Sequence, residues 1–173
     1  MKQLYAKEYA EFFTATCLEW KPVIVRDHLK DIIIESLRFL CRDRRVWVNA
    51  MVIMDNHIHL VWQMIGSNKR AQVQRDFLKF TSQQIIKELR NSKSELLTEI
   101  MVGATDRKYQ VWERNSLSIP LWTTDVFWQK INYIHNNPVK AGYCDYPEQY
   151  KYSSAEFYLT GKSRWDFLTH FED

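Results

Sequence analysis

The sequence is poor in residues that interrupt or cross-link a chain. Its 173 residues include only four Gly, four Pro and three Cys. So few Gly and Pro exclude a collagen-like or low-complexity protein, and Cys17, Cys41 and Cys144 are too widely spaced for a paired zinc site or a disulfide framework. The chain also has no apolar run near the roughly 20 residues that span a membrane. We therefore expect one soluble domain over residues 1–173, in a reducing cytoplasm, with no membrane partner.

A strong charge of one sign is also missing. The chain carries 24 basic and 21 acidic residues, a formal net charge of +3, which is compatible with a phosphate-bearing partner but does not require one. Its first residues are charged where a secretory signal needs an apolar stretch. Aromatic residues, by contrast, are abundant at 14% of the chain, with seven Trp. A chain of this length and composition buries a real core.

The apolar periodicity predicts alternating strands and helices. Asp27 is expected to cap the first long helix, Thr123 or Thr124 to cap the last, and Pro138 to end it. Asp55 and Asn56 suit a tight turn between the second and third strands. The predicted strands cover residues 11–20, 46–54, 57–65 and 108–114, and the predicted helices cover 27–43, 70–90, 95–101 and 123–137.

This order, β-α-β-β-α-β followed by a C-terminal helix, is that of an α+β protein with a ferredoxin-like antiparallel sheet. Helices would lie on one face of the sheet. We expect the other face to be open, and an open sheet face with aromatic neighbours is a common binding surface for single-stranded nucleic acid.

Two histidines, His57 and His59, lie one residue apart at the start of the third predicted strand. Side chains alternate between the two faces of a sheet, so both histidines share a face with Val61 and Gln63. The intervening residues are apolar and belong against the core; they are Ile58, Leu60, Trp62 and Met64. The imidazoles should therefore look out from the open face, side by side, as a pair of metal ligands would.

The last helix could complete such a site. Gln129, Tyr133 and Asn137 are spaced i, i+4, i+8, so they form a row along one side of the helix. Packed beside the hairpin, this row would offer a phenol and an amide oxygen to the imidazoles, leaving open positions on a divalent ion and placing a nucleophile near them. Each piece alone has an ordinary explanation as a surface histidine or a boundary tyrosine. The remaining histidines show no ligand spacing and are expected to be structural or exposed; they are His28, His135 and His170.

Three stretches in order, "MDNHIHLVW", "YIHNNPVKAG" and "YKYSSA", make the chain resemble the REP-associated tyrosine transposases over residues 10–155. That family belongs to the single-tyrosine HUH superfamily. The resemblance implies nicking and transfer of single-stranded DNA through a 5′-phosphotyrosine. It assigns His57 and His59 to the metal pair, Tyr133 to the nucleophile and Asn137 to a third ligand, with Mg²⁺ or Mn²⁺ as the hard, open-sited ion.

The sequence departs from the family pattern at two places. Asp55 stands where many relatives have Pro, which changes the turn before the histidines. Residues 114–125 are less typical, so DNA contacts that relatives make there do not transfer to this chain.

The expected partner is single-stranded or hairpin DNA, bound by a monomer or a homodimer associated with the nucleoid. Five basic residues on or just before the predicted 70–90 helix are candidates for phosphate contacts, although a solvated face is the simpler explanation for any single one: Lys69, Arg70, Arg75, Lys79 and Arg90. Two rival functions remain at this stage. One is a domesticated, non-catalytic DNA-binding protein, and the other is a metal-dependent phosphodiesterase in which water attacks.

Overall fold

The computed structural model describes residues 9–171 of the chain. Four strands form one antiparallel sheet in the order β2-β3-β1-β4. This order, with β1 and β3 in the centre, is that of a ferredoxin-like sheet and confirms the predicted fold class. The strands are β1 (Glu11–Thr16), β2 (Val46–Ile53), β3 (His57–Met64) and β4 (Leu117–Pro120), and the helices are α1 (Asp27–Arg42), α2 (Arg70–Asn91), α3 (Leu96–Glu99), α4 (Thr124–Lys140) and α5 (Ala155–Thr160).

Helices α1 and α2 cover one face of the sheet, called here the α1/α2 face. From β3, Ile58, Leu60 and Trp62 point into this face and are fully buried. They meet apolar side chains such as Leu37 of α1 and Phe77 of α2 in the larger hydrophobic core. The alternation predicted for β3 is therefore confirmed on this side.

The opposite face, called the α4 face, is not open as the sequence suggested. The apolar stripe of α4, which includes Phe127, Ile131 and Ile134, packs against Val52 and Val61 in a second core. An amphipathic helix must bury its apolar stripe somewhere, and this sheet face is where α4 does so. None of the helices in residues 9–171 is long and apolar enough to cross a membrane.

The fourth strand lies later in the chain than predicted. Residues 108–114 form only isolated bridges, from Tyr109 to Met101 and from Trp112 to Cys17. The apolar residues of this segment, Tyr109, Val111 and Trp112, pack into the core in an irregular conformation, and Trp112 donates its indole N–H to Thr81 Oγ1 of α2 at 3.0 Å. The observed β4 is short and partly exposed and ends in a proline, which an edge strand tolerates.

Helix and turn signals were partly right. Thr123 caps α4, its hydroxyl accepting from the Val126 N–H at 3.2 Å. Asp27 is the first residue of α1 rather than its cap, and its carboxylate pairs with Lys151 at 2.8 Å instead. Pro138 does not end α4, which continues to Lys140. In this last turn a proline forfeits only one helical hydrogen bond.

Candidate functional site

The histidine pair begins β3, directly after the turn that joins it to β2. The turn is closed by the Met54 N–H, which donates to the His57 carbonyl at 2.8 Å. The two imidazole centroids are 4.8 Å apart. His59 is only 5% exposed and His57 is half-buried. The imidazoles therefore lie beside α4 rather than looking out from an open sheet.

The contacts of His57 define which of its nitrogens is available. Nδ1 lies 2.7 Å from Asn56 Oδ1, and Nε2 also faces an amide oxygen, at a longer distance. A neutral ring has one hydrogen for these two acceptors, so we assign it to Nδ1, which makes the shorter contact, and the lone pair to Nε2. Burial lowers the pKa of His57 below its usual range, outweighing the opposite effect of Asn137. The Nε2 lone pair then faces Asn137 Oδ1 at 3.2 Å. Two facing acceptors are the arrangement that a cation between them satisfies.

His59 is held more tightly than its neighbour. Its Nδ1 is 2.7 Å from Thr14 Oγ1, and its ring stacks on Phe12 with centroids 5.2 Å apart. Burial lowers its pKa to about 3, with smaller contributions from the charges of His57 and Lys130. The ring is therefore neutral at neutral pH, the state in which imidazole binds metal.

Tyr133 lies next to this pair on α4. Its ring centroid is 5.3 Å from that of His59, and the residue is 43% exposed. Two ammonium groups flank the phenol ring: Lys130 Nζ lies 5.6 Å and Lys140 Nζ 5.7 Å from the ring centroid. The sequence analysis assigned neither Lys130 nor Lys140 to the site. Their spacing from Tyr133 along the helix is the signal that could have found them.

An ion pair between a buried lysine and a partly exposed aspartate ties the turn before His57 to the rest of the molecule. The Lys30 ammonium, which is 5% exposed, donates to Asp55 Oδ1 at 2.7 Å. Tyr143, three residues beyond α4, donates its hydroxyl to Asp55 Oδ2 at 2.9 Å. Asp55 thus connects α1, the histidine hairpin and the end of α4. The sequence marked Asp55 as unusual but gave no indication of its partners.

The candidate metal ligands at this site are two imidazoles and one amide oxygen, from His57, His59 and Asn137. Within residues 9–171, no group of three or more His, Cys, Asp or Glu side chains is arranged to hold a metal ion. A site completed by the amide oxygen of Asn137 would contain only two such side chains, His57 and His59. The facing lone pairs of His57 and Asn137 fit a divalent ion that keeps open positions for other ligands.

The five predicted phosphate-binding residues belong to the other side of the sheet. They lie on or next to α2, whose inner surface packs into the α1/α2 face. Arg70 pairs with the buried Glu11 at 2.5 Å, a contact that anchors α2, and Arg90 lies over the Tyr109 ring at 5.9 Å. Lys69 directly precedes the helix. Arg75 and Lys79 line a groove of about 740 Å³ together with Arg107 and Arg114. The sheet itself separates this groove from Tyr133.

Comparison with known proteins gives a fold but no sequence family. No protein-family model and no curated protein matches the chain. Among solved structures, a REP-associated tyrosine transposase bound to a REP hairpin superposes with a TM-score of 0.66 at 17% identity, covering 100% of this chain and 93% of that one. A transposase candidate from Deinococcus radiodurans gives 0.51 at 13% identity, covering 79% and 97%. The resemblance drawn from the sequence is thus confirmed at the level of the fold: this chain has the fold of a REP-associated tyrosine transposase.

Proposed function

We propose that this protein is a metal-dependent DNA strand transferase that nicks single-stranded DNA and forms a 5′-phosphotyrosine at Tyr133. One observation carries the proposal. The phenol of Tyr133, the imidazoles of His57 and His59 and the amide of Asn137 gather at one end of the α4 face. A nucleophile, candidate ligands and flanking cations are thereby brought to one partly exposed place.

The reaction follows from these groups. The Tyr133 oxygen attacks the phosphorus, the bond from phosphorus to the 3′-oxygen breaks, and the leaving oxygen takes up a proton. The flanking Lys130 and Lys140 ammonium groups favour negative charge developing on the phosphate. His57, His59 and Asn137 would hold Mg²⁺ or Mn²⁺, which when bound neutralises charge on the phosphate oxygens. Because the tyrosyl phosphodiester conserves the broken bond, the 3′-hydroxyl of another strand can reverse the step without ATP.

The proposed substrate is single-stranded or hairpin DNA. Support comes from the similar transposase, which is bound to a REP hairpin, and from lysines beside the reacting phenol, where a phosphate would lie. A non-catalytic binder has no need of an exposed phenol beside two neutral imidazoles. A phosphodiesterase would instead require a positioned water in place of the phenol.

Covalent trapping tests the proposal against both rivals. The protein is incubated with single-stranded hairpin oligonucleotides and Mn²⁺, with EDTA as the matched control, and resolved on a denaturing gel. We expect a shifted protein–DNA band only with the metal. Peptide mass analysis should place the adduct on the tryptic fragment "INYIHNNPVK", residues 131–140. Cleavage without an adduct would support the phosphodiesterase, and binding without cleavage would support the binder.

A further inference from the structure

A large aromatic side chain stands in solvent at the edge of the candidate site. Trp20 is 62% exposed, yet its ring centroid is only 5.7 Å from that of His57. With His57, His59 and Tyr133 it completes a row of rings whose successive centroids are 5.7, 4.8 and 5.3 Å apart. Trp20 therefore occupies one end of the row and the proposed nucleophile the other.

The backbone that presents Trp20 is in an unfavourable conformation. Glu19 and Trp20 have φ angles of 53° and 58°, a left-handed region that side chains with a Cβ rarely adopt. Hydrogen bonds hold it there: the Trp20 N–H donates to the Cys17 carbonyl at 3.0 Å, and the Glu19 N–H donates to Glu113 Oε1 at 2.6 Å. Such conformations persist where surrounding contacts over-determine them, and they cluster at ligand sites.

One residue links this backbone to the histidine. The Asn56 side chain donates its amide hydrogen to the Trp20 carbonyl at 3.2 Å, and its oxygen accepts from His57 Nδ1 at 2.7 Å. A single amide therefore links the backbone of Trp20 to the imidazole of His57. This shared support fixes the Trp20 backbone, from which the exposed ring projects, relative to any group bound at His57.

We propose that Trp20 is a stacking platform for the nucleobase adjacent to the phosphate held near His57 and Tyr133. The proposal rests on the function proposed above and extends it to recognition of the strand. A base has a π-face whatever its identity, so such a platform binds single strands without reading their sequence. A paired base in a duplex is already stacked on both faces, so the platform favours unpaired nucleotides.

The test compares two 20-residue probes in Mg²⁺ by fluorescence anisotropy: oligo(dT), and a fully abasic strand with the same sugar-phosphate charge. The wild-type protein should prefer oligo(dT) because only that strand has bases to stack. Trp20→Ala should weaken oligo(dT) binding by about 5- to 150-fold, the range of one base–aromatic stack. Its affinity for the abasic strand should be unchanged. Trp20→Phe keeps a ring and should keep most of the preference.

Trp47→Ala is the matched control. Trp47 is also an exposed tryptophan, at 45%, but it pairs with Gln63 on β3, about 20 Å along that strand from His57. This variant should bind both probes as the wild type does. If Trp20→Ala lowers the melting temperature, Trp20→Leu is used in its place, because leucine keeps apolar bulk but lacks a π-face. DNA binding by Trp20→Leu is then compared with that by Trp20→Phe.

The outcomes separate the two proposals. Equal losses on both probes, or no loss on oligo(dT), would overturn the stacking platform while leaving the transferase proposal intact, provided the wild type still forms the adduct. A wild-type protein that binds neither probe and forms no adduct would overturn both. An adduct that forms normally in Trp20→Ala at saturating DNA would place the residue in binding rather than in chemistry.

Discussion

The two faces of the sheet differ in what they bury. On the α1/α2 face, β3 contributes Ile58, Leu60 and Trp62, all fully buried and apolar. On the α4 face, the same strand contributes His57 and His59 together with Val61, and His59 is almost as buried as its apolar neighbours. One strand therefore serves stability on one side and a polar site on the other, because its side chains alternate.

The comparison also shows how a buried polar group is tolerated. An imidazole removed from water without a partner is costly, and here His59 has Thr14 and His57 has Asn56 as a hydrogen-bond partner. The α1/α2 face needs few such partners because it is mostly apolar. We therefore expect substitutions on the α1/α2 face to lower stability, and substitutions at the polar site of the α4 face to slow cleavage.

The largest expected difference concerns a single hydroxyl. Tyr133→Phe should abolish the adduct and reduce cleavage by on the order of 10³-fold or more, since the nucleophile is gone. Stability and DNA binding should change little because the ring remains. Tyr109→Phe, beside α2 on the other side of the sheet, is the control and should cleave normally. Wild-type cleavage by Tyr133→Phe in a gel assay would refute the tyrosine mechanism.

Acid should destabilise the protein through the histidines of the α4 side. Burial lowers the pKa of His59 to about 3 and that of His135 to about 4, whereas the unfolded value is about 6.5. The unfolded chain therefore binds protons first as the pH falls. Stability is fully present above pH about 6.5 and is lost toward the folded pKa values, with a slope approaching 1.4 kcal/mol per pH unit for each histidine.

Urea titrations between about pH 6.5 and 4.5 measure this loss above the range where most carboxylates titrate. His59→Gln retains a polar side chain of similar size but does not titrate, so its stability should fall less steeply with acid. A slope equal to that of the wild type would mean that His59 is accessible to protons in the folded state.

Neighbouring phenylalanines on β1 sharpen the contrast. Phe13 is fully buried against Trp62 on the α1/α2 face, and Phe13→Leu should lower the free energy of unfolding by about 1–2 kcal/mol without slowing cleavage by the folded protein. Phe12→Leu should cost a similar amount of stability. It should also slow cleavage about tenfold or more, because Phe12 positions His59 and Tyr133. Equal cleavage rates in the two variants would argue against this positioning role.

The smallest expected effect is on how strongly salt weakens DNA binding. If about four phosphates are neutralised, log affinity for single strands should fall with log salt at a slope near −3. Removing two cations of the groove, by Arg75→Gln with Lys79→Gln, should reduce the slope by about 1.4 and leave cleavage at saturating DNA unchanged. Lys130→Gln with Lys140→Gln should reduce both the salt slope and the cleavage rate. If the slope is unchanged in the Arg75→Gln, Lys79→Gln variant, the phosphate contacts lie on the α4 face and not in the groove.

The predictable parts of this molecule are its periodic parts. The alternation along β3 and the row on α4 predicted which side chains share a face, because strand and helix periods fix this. That His57 would meet Asn137 depended on α4 packing beside the hairpin, whereas the histidine face was expected to be open. The position of β4 was missed because it is a four-residue edge strand with a proline. Residues 108–114 resembled a strand because they contain Tyr109, Val111 and Trp112, which pack into the core without forming one. The link from Lys30 through Asp55 to Tyr143 has no local pattern, since only the folded chain brings these residues together.

The placement of Tyr133, the proposed nucleophile, on α4 also bears on how the protein is made. His57 and Asn137 are 80 residues apart in the chain, so the histidine hairpin leaves the ribosome well before the helix that completes the site. A chain whose synthesis stops before residue 124 carries the histidines but no Tyr133, and the apolar surface around Val61 that α4 should cover stays in water. Unfinished copies are therefore unable to attack DNA by this route and expose a surface that chaperones and proteases recognise.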